Sequence, residues 1–156
     1  FVPQSRAAQV IHTNLYAVHQ RVATTYRRGR VLLAGDAAHV NNPLGGMGLN
    51  FGLHDAHSLA ERLGKVWRGE APDSLLDQYD RQRRAVAEQY LQGQTIANKQ
   101  TLEERDPVKR AERQAEMRAQ AADPARARKF LLRTSMIQSL RDEAAIAFAA
   151  ALRGPE

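Results

Sequence analysis

The stretch from Val31 to Leu59 constrains the fold more than any other part of the chain. Val31-Leu32-Leu33-Ala34 is a short, unbroken apolar run that closes on Gly35-Asp36. Such a run suits a fully buried strand, as in a parallel sheet covered on both faces. Asp36 to Gly46 then holds Asn41, Asn42, Pro43, Gly45 and Gly46, a density of turn residues that predicts a loop and nothing regular. From Met47 or Gly48 the period changes. Leu49, Leu53, Ala56, Leu59, Ala60 and Leu63 recur at helical spacing, so a helix is predicted to about Arg68 with that stripe inward. Gly69 ends it, and Pro72 follows where a proline commonly follows a helix.

A strand that delivers a carboxylate, Asp36, at its C-terminal end places that group where open α/β sheets bind ligands. Glycines let a backbone come close to a ligand and leave N–H groups free to donate. The start of a helix adds unsatisfied donors and a partial positive charge of about half a unit. Strand, glycine loop and helix together predict a site for an electron-rich or anionic group beside a hydroxylated ligand, with Asp36 accepting hydrogen bonds.

Gly35-Asp36-Ala37-Ala38-His39, then Pro43, then Gly45, Gly48 and Asn50, then Asp55-Ala56 and Leu59, resembles the second flavin-binding motif of the class A FAD-dependent aromatic monooxygenases of the 4-hydroxybenzoate hydroxylase type. Arg30 to Ala34 looks like the last strand of that family's FAD domain. Leu15 to Thr25 looks like the end of its substrate domain, and Tyr79 to Arg84 resembles the Tyr-x-x-x-Arg-Arg stretch on the following helix. The resemblance implies that Asp36 binds the ribityl chain of FAD. It implies that Gly45, Gly46 and Met47 also contact the flavin and that the backbone N–H groups around Gly48, Leu49 and Asn50 face N1 and O2 of its ring. Pro43 and Leu44 would border both ring and substrate. The implied reaction uses NADH or NADPH to reduce FAD and O2 to hydroxylate an aromatic ring. No side chain here is an evident acid, base or nucleophile for it. The family's N-terminal Gly-x-Gly-x-x-Gly fingerprint and its Asp-Gly motif are not in the sequence, so the chain reads as a C-terminal, flavin-contacting part that is inactive alone.

The implied fold is an α/β fragment: short strands of a FAD-binding Rossmann-like domain, then a predominantly helical C-terminal region. Residues 1–29 read as the end of a substrate-binding sheet, 30–70 as FAD-binding strand, loop and helix, and 71–156 as the helical region. Within the first part, Leu15 to Thr25 is rich in β-formers and predicts a strand, followed by a turn at Tyr26 to Arg30. Beyond residue 70, Asp73 is predicted to cap a helix that carries Leu75, Leu76 and Tyr79 inward and runs through Gly93 to about Leu102. Asp106-Pro107 and Asp123-Pro124 are two further helix starts. The last helix is expected to bury Phe130, Leu131, Leu132, Met136, Ile137 and Leu140, with a break near Ser135 or Asp142. The Ala144 to Leu152 run is expected to pack against a partner.

With 156 residues, an ordinary apolar fraction and no cysteine, the chain can form a core but no disulfide or thiolate metal site. No apolar run is long enough to span a bilayer and no signal peptide is evident, so a cytoplasmic location is expected. The chain begins at Phe1, which reads as a piece of a longer protein whose N-terminal FAD and substrate domains would be its partners. The net charge of +6 is spread among acidic residues. Arg81, Arg83 and Arg84 therefore read as a solvated helical face or a contact with another domain, and no nucleic-acid motif accompanies them. His39 is expected to hydrogen-bond its own loop. His54 and His57 lack further ligands at metal-binding spacing. Asp55 reads as a buried carboxylate anchoring the strand-to-helix junction, and Trp67 as core or domain contact. Rival readings are an epoxidase or reductase with the same motif, and a non-enzymatic helical piece that self-associates.

Overall fold

A computed structural model describes the backbone of residues 11–151 and side chains from 11 to 146. Four two-residue strands, β1 (Arg21–Val22), β2 (Arg27–Arg28), β3 (Val31–Leu32) and β4 (His39–Val40), precede six α-helices. These are α1 (Met47–Trp67), α2 (Ser74–Val86), α3 (Gly93–Glu103), α4 (Pro107–Ala122), α5 (Pro124–Thr134) and α6 (Ile137–Ala151). The chain is thus short strands followed by a helical region, as expected.

The strands differ from expectation in extent and direction. β2 and β3 form an antiparallel hairpin about Gly29, whose φ of 60° is the left-handed value such a turn needs. Val31 is 64% exposed, and among the described residues β3 pairs with β2 alone. Of Leu15 to Thr25, only Arg21–Val22 is strand, paired antiparallel with β4. Leu15 is 97% exposed: β-forming composition makes no strand without a partner edge.

The hairpin is fixed to α2 by polar contacts. Asp80 accepts from the Tyr26 N–H at 2.9 Å and the Thr25 hydroxyl at 2.6 Å, and the Tyr79 hydroxyl donates to the Leu33 carbonyl at 2.7 Å. Asp73 sits at the start of α2 but its side chain caps nothing. It pairs with Arg27, which also reaches Asp77.

α1 ends as the glycine predicts. Gly69 has a φ of 72°, the Glu70 N–H donates to the Lys65 carbonyl at 2.8 Å, and the Gly69 N–H donates to Val66 at 3.1 Å. This is a Schellman closure. Trp67 is 84% exposed, which overturns the core half of its reading as core or domain contact.

The second helix does run on to Glu103, through a π-helical stretch, Ala87–Gln92, between α2 and α3. This composite helix is the wall shared by two cores. Met47, Phe51, Val86, Tyr90, Leu91 and Met136 form one, with Ile146 against it. Tyr26, Ala38, Tyr79 and Ala87 form the other, flanked by Val22, Leu32, Leu33 and Leu59. Asp106 and Asp123 cap α4 and α5 by accepting from Val108 and from Ala125 and Arg126, with Pro107 and Pro124 in the first turns. The expected break lies at Ser135–Met136, where Met136 takes a φ of 62°. Of the apolar residues expected inside there, Met136 is buried and Leu132 half-buried. Phe130 and Leu131 on α5, and Ile137 and Leu140 on α6, are exposed. The Ala144 to Leu152 run lies mostly outside the described side chains.

Candidate functional site

The site grows from the point where β3 meets α1. Gly35 has a φ of 61°, and its Cα faces Gly52 so closely that a Cβ on Gly52 would sit 3.2 Å from it. Two glycines let the strand end cross the helix at backbone distance. Gly35–Ala37 then forms one 3-10 turn, and β4 follows. The segment expected to be wholly irregular therefore holds two short ordered pieces.

A buried carboxylate holds the crossing in place. Asp55 on α1 accepts from the Gly35 N–H at 3.0 Å and meets His39 Nε2 at 2.8 Å through Oδ2, while Oδ1 takes the Arg83 Nε–H at 2.7 Å. Arg83 Nη1 donates to Glu143 on α6 at 2.7 Å. Asp55 and Arg83 are fully buried. Burial alone would raise the Asp55 carboxyl, but His39, Arg83 and the Gly35 amide outweigh it and hold it below the usual carboxylate range. Burial likewise disfavours the Arg83 charge, and Asp55 and Glu143 overcome it. The nearby Tyr26 and Tyr79 hydroxyls are pushed well up, first by burial and then by the Asp55 charge.

These contacts confirm Asp55 as the junction anchor and correct two expectations. His39 bonds Asp55, not its own loop. Arg83 is no solvated residue. It is the centre of a buried charge cluster, and Leu76, Tyr79, Arg83, Val86 and Tyr90 share its inward face. That spacing was the signal in the sequence that could have placed it. Glu143 carried no comparable signal.

The inward face of α1 is corrected too. It runs Met47, Phe51, Asp55, Ser58, while Leu49, Leu53, Ala56, Ala60 and Leu63 are exposed and Leu59 is half-buried. Leu49 alone is 75% exposed. The charge of Arg83 requires the Asp55 carboxylate and the Phe51 carbonyl as partners, so α1 turns its mixed face inward and leaves the apolar stripe outside.

The glycine loop is tied down from the other side. Asn42 donates to the Gln20 side-chain oxygen Oε1 at 2.7 Å and to the Thr95 backbone carbonyl at 3.0 Å, and accepts from the Leu44 N–H at 3.1 Å. Asn98 on α3 donates to the Leu44 carbonyl at 3.1 Å, and Gln92 to the Val40 carbonyl at 3.1 Å. Gly45 has a φ of 100° and passes so near Asn98 that a Cβ would lie 2.5 Å from its Nδ2. Gly46, φ 63°, is the N-cap of α1, and no side chain caps that end. Helix geometry leaves the N–H groups of Met47, Gly48 and Leu49 without intrahelical partners.

Most of the expected site residues are exposed, on the 3-10 turn, the glycine loop and the start of α1. Asp36 is exposed on the 3-10 turn, with no side-chain partner among the described residues. Pro43, Gly45, Gly46, Leu49 and Asn50 are exposed, and Leu44 and Gly48 half-buried. Asn50 donates its side-chain amide to the Gly46 carbonyl at 2.9 Å. The Met47 side chain is buried in the core. Two cavities, of about 470 and 440 Å3, lie elsewhere. One is beside Arg128, Arg133 and Tyr90, the other beside His54, His57 and Glu143.

A family model described as an FAD binding domain matches residues 1–94 of this chain. The chain belongs to this family of class A FAD-dependent aromatic monooxygenases. The para-nitrophenol 4-monooxygenase of Pseudomonas sp. strain WBC-3 is 44% identical over 124 residues, 80% of this chain and 31% of that protein. A putative polyketide hydroxylase of Streptomyces coelicolor is 58% identical over 69 residues, 44% of this chain and 11% of that one. The crystal structure of p-nitrophenol 4-monooxygenase PnpA from Pseudomonas putida DLL-E4 superposes with a TM-score of 0.72 at 41% identity, covering 79% of this chain and 30% of that one. The chain thus spans about a third or less of the relatives it matches. No helix among the described residues is long and apolar enough to cross a membrane.

Proposed function

We propose that this chain is the flavin-contacting C-terminal part of a longer cytoplasmic monooxygenase that hydroxylates an aromatic, usually phenolic, substrate with FAD, NADH or NADPH, and O2. In that reading residues 1–29 end the substrate-binding sheet, 30–70 contact the flavin, and 71–156 form a helical region behind it. The observation that carries the reading is an exposed Asp36 with no side-chain partner among the described residues, on a turn packed against α1, the helix whose own start carries no side-chain cap. The buried Asp55 and Arg83 hold the two together.

The residues present fit the cofactor. Asp36 can accept hydrogen bonds from ribityl hydroxyls. The free N–H groups at the start of α1 can donate to N1 and O2 of the ring system, where negative charge collects on reduction. Gly45, Gly46 and Gly48 keep side chains out of the way, and Asn50 braces the Gly46 carbonyl. Bound FAD would supply the redox chemistry between the nicotinamide, O2 and the substrate. The chain's own residues bind and orient it, stabilise charge, and through Pro43 and Leu44 limit water beside the reacting ring. The exposed α1 stripe of Leu49, Leu53 and Leu63 fits contact with the rest of such a protein.

The test is flavin content and NAD(P)H oxidation, measured on this chain alone and mixed with the N-terminal remainder that its relatives possess. Flavin and oxidation in the mixture alone support the reading. No flavin in either sample contradicts it.

A further inference from the structure

We infer that Glu143, on the last helix, is a positioning residue for the flavin loop, acting through Arg83 and Asp55 on Gly35 and Asp36. This deepens the functional reading above and rests on it.

Glu143 lies far beyond residues 1–94, the part that the FAD-binding family model matches. It nevertheless completes the charge balance of the site. Its Oε2 takes the Arg83 Nη1–H at 2.7 Å, its Oε1 takes the Ser58 hydroxyl at 3.2 Å, and its backbone carbonyl takes the Gln82 amide at 2.7 Å. Arg62 Nη2 flanks Oε1 of Glu143 at 3.6 Å. Glu143 is 8% exposed, so its partners are protein groups and little water reaches it.

Arg83 has two carboxylates to satisfy it, one on each side. Asp55 uses its second oxygen for the Gly35 amide and His39. Gly35 is the residue immediately before Asp36. A chain of charge-assisted hydrogen bonds therefore links α6 to the backbone that sets where Asp36 stands. If the Glu143 charge is removed, Arg83 has one carboxylate where it had two and is drawn toward α6 less. Its hold on Asp55, and Asp55's on Gly35, is then free to shift. In a flavin site a shift of about 1 Å is enough to cost binding or rate.

The experiment uses the full-length flavoprotein carrying this chain and measures the FAD dissociation constant, with thermal unfolding alongside. Glu143→Gln keeps the volume and removes the charge. It is expected to raise the FAD Kd about tenfold or more, the effect of losing one charge-assisted bond from a buried network. Ile146→Ala loosens the packing of α6 against the Phe51 core without touching the network. It is expected to lower the melting temperature and leave the Kd unchanged. An equal rise in Kd for Ile146→Ala means that docking of α6, not the charge, matters, and overturns the inference. An unchanged Kd for Glu143→Gln overturns it as well.

If Glu143→Gln does not fold, Glu143→Asp, which keeps the charge but withdraws it by one methylene, serves instead. It is expected to raise the Kd by a smaller factor, and an unchanged Kd there is again contrary. Asp36→Ala separates the two claims. An unchanged Kd in Asp36→Ala sinks the flavin reading and this inference with it. A weakened Kd there beside an unchanged one in Glu143→Gln sinks this inference alone.

Discussion

The guanidinium of Arg83 and the carboxylate of Asp55 meet at 2.7 Å with both side chains fully buried. The pair joins two helices and, through the other carboxylate oxygen, the end of β3. Buried pairs of this kind contribute little over a well-packed apolar alternative, but breaking one leaves a charge with no partner.

Arg83→Met is therefore expected to destabilise the chain by about 3–5 kcal/mol, because Asp55 and Glu143 are left buried without their cation. Urea unfolding measures it. A loss within about 0.5 kcal/mol, typical of a surface substitution, would show that Arg83 is solvated after all.

The pH dependence follows from the Asp55 carboxyl, which is held below its ordinary 3.8. A group depressed on folding stabilises the folded state above its unfolded value, and that contribution is lost as pH falls through the folded value. The urea midpoint is expected to fall below about pH 4 in the parent chain. In Asp55→Asn, which starts from a lower midpoint, the fall is expected to be shallower. Parallel profiles for the two would contradict the assignment.

Gly45 combines a φ of 100° with a close approach to Asn98. Gly45→Ala is expected to cost about 1–3 kcal/mol in backbone strain alone and to break the Asn98 bond to Leu44. Both effects show as reduced thermal stability and faster amide exchange in the loop. Gly29, which also has a positive φ but has open space around it, should cost less when changed to alanine.

Much of this architecture was legible in the sequence wherever the cause was local. Asp106-Pro107 and Asp123-Pro124 start helices because a carboxylate caps and a proline needs no N–H. Gly69 stops α1 for an equally local reason. Asp55 could be read as an anchor because it recurs in the motif beside Leu59. The face of α1 could not be read this way. Apolar periodicity chose Leu49, Leu53 and Leu63, but the interior holds Arg83, and a buried cation takes precedence over a stripe of leucines. Nor could Glu143 be found, since its role depends on α6 folding back onto α2. Of the Leu15 to Thr25 segment only Arg21–Val22 found an edge to pair with.

Asp123→Ala removes the two hydrogen bonds that open α5. It is expected to cost about 1 kcal/mol, seen as fraying of α5 in amide exchange, while the flavin edge is unaffected.

The most direct test of the account is FAD binding by the full-length protein with Asp36→Ala. Asp36 has no structural partner among the described residues, so the substitution is expected to leave the melting temperature of the apoprotein unchanged and to abolish or severely weaken flavin binding. Flavin retained at the parent's affinity would contradict the central claim, that this edge of the chain holds FAD.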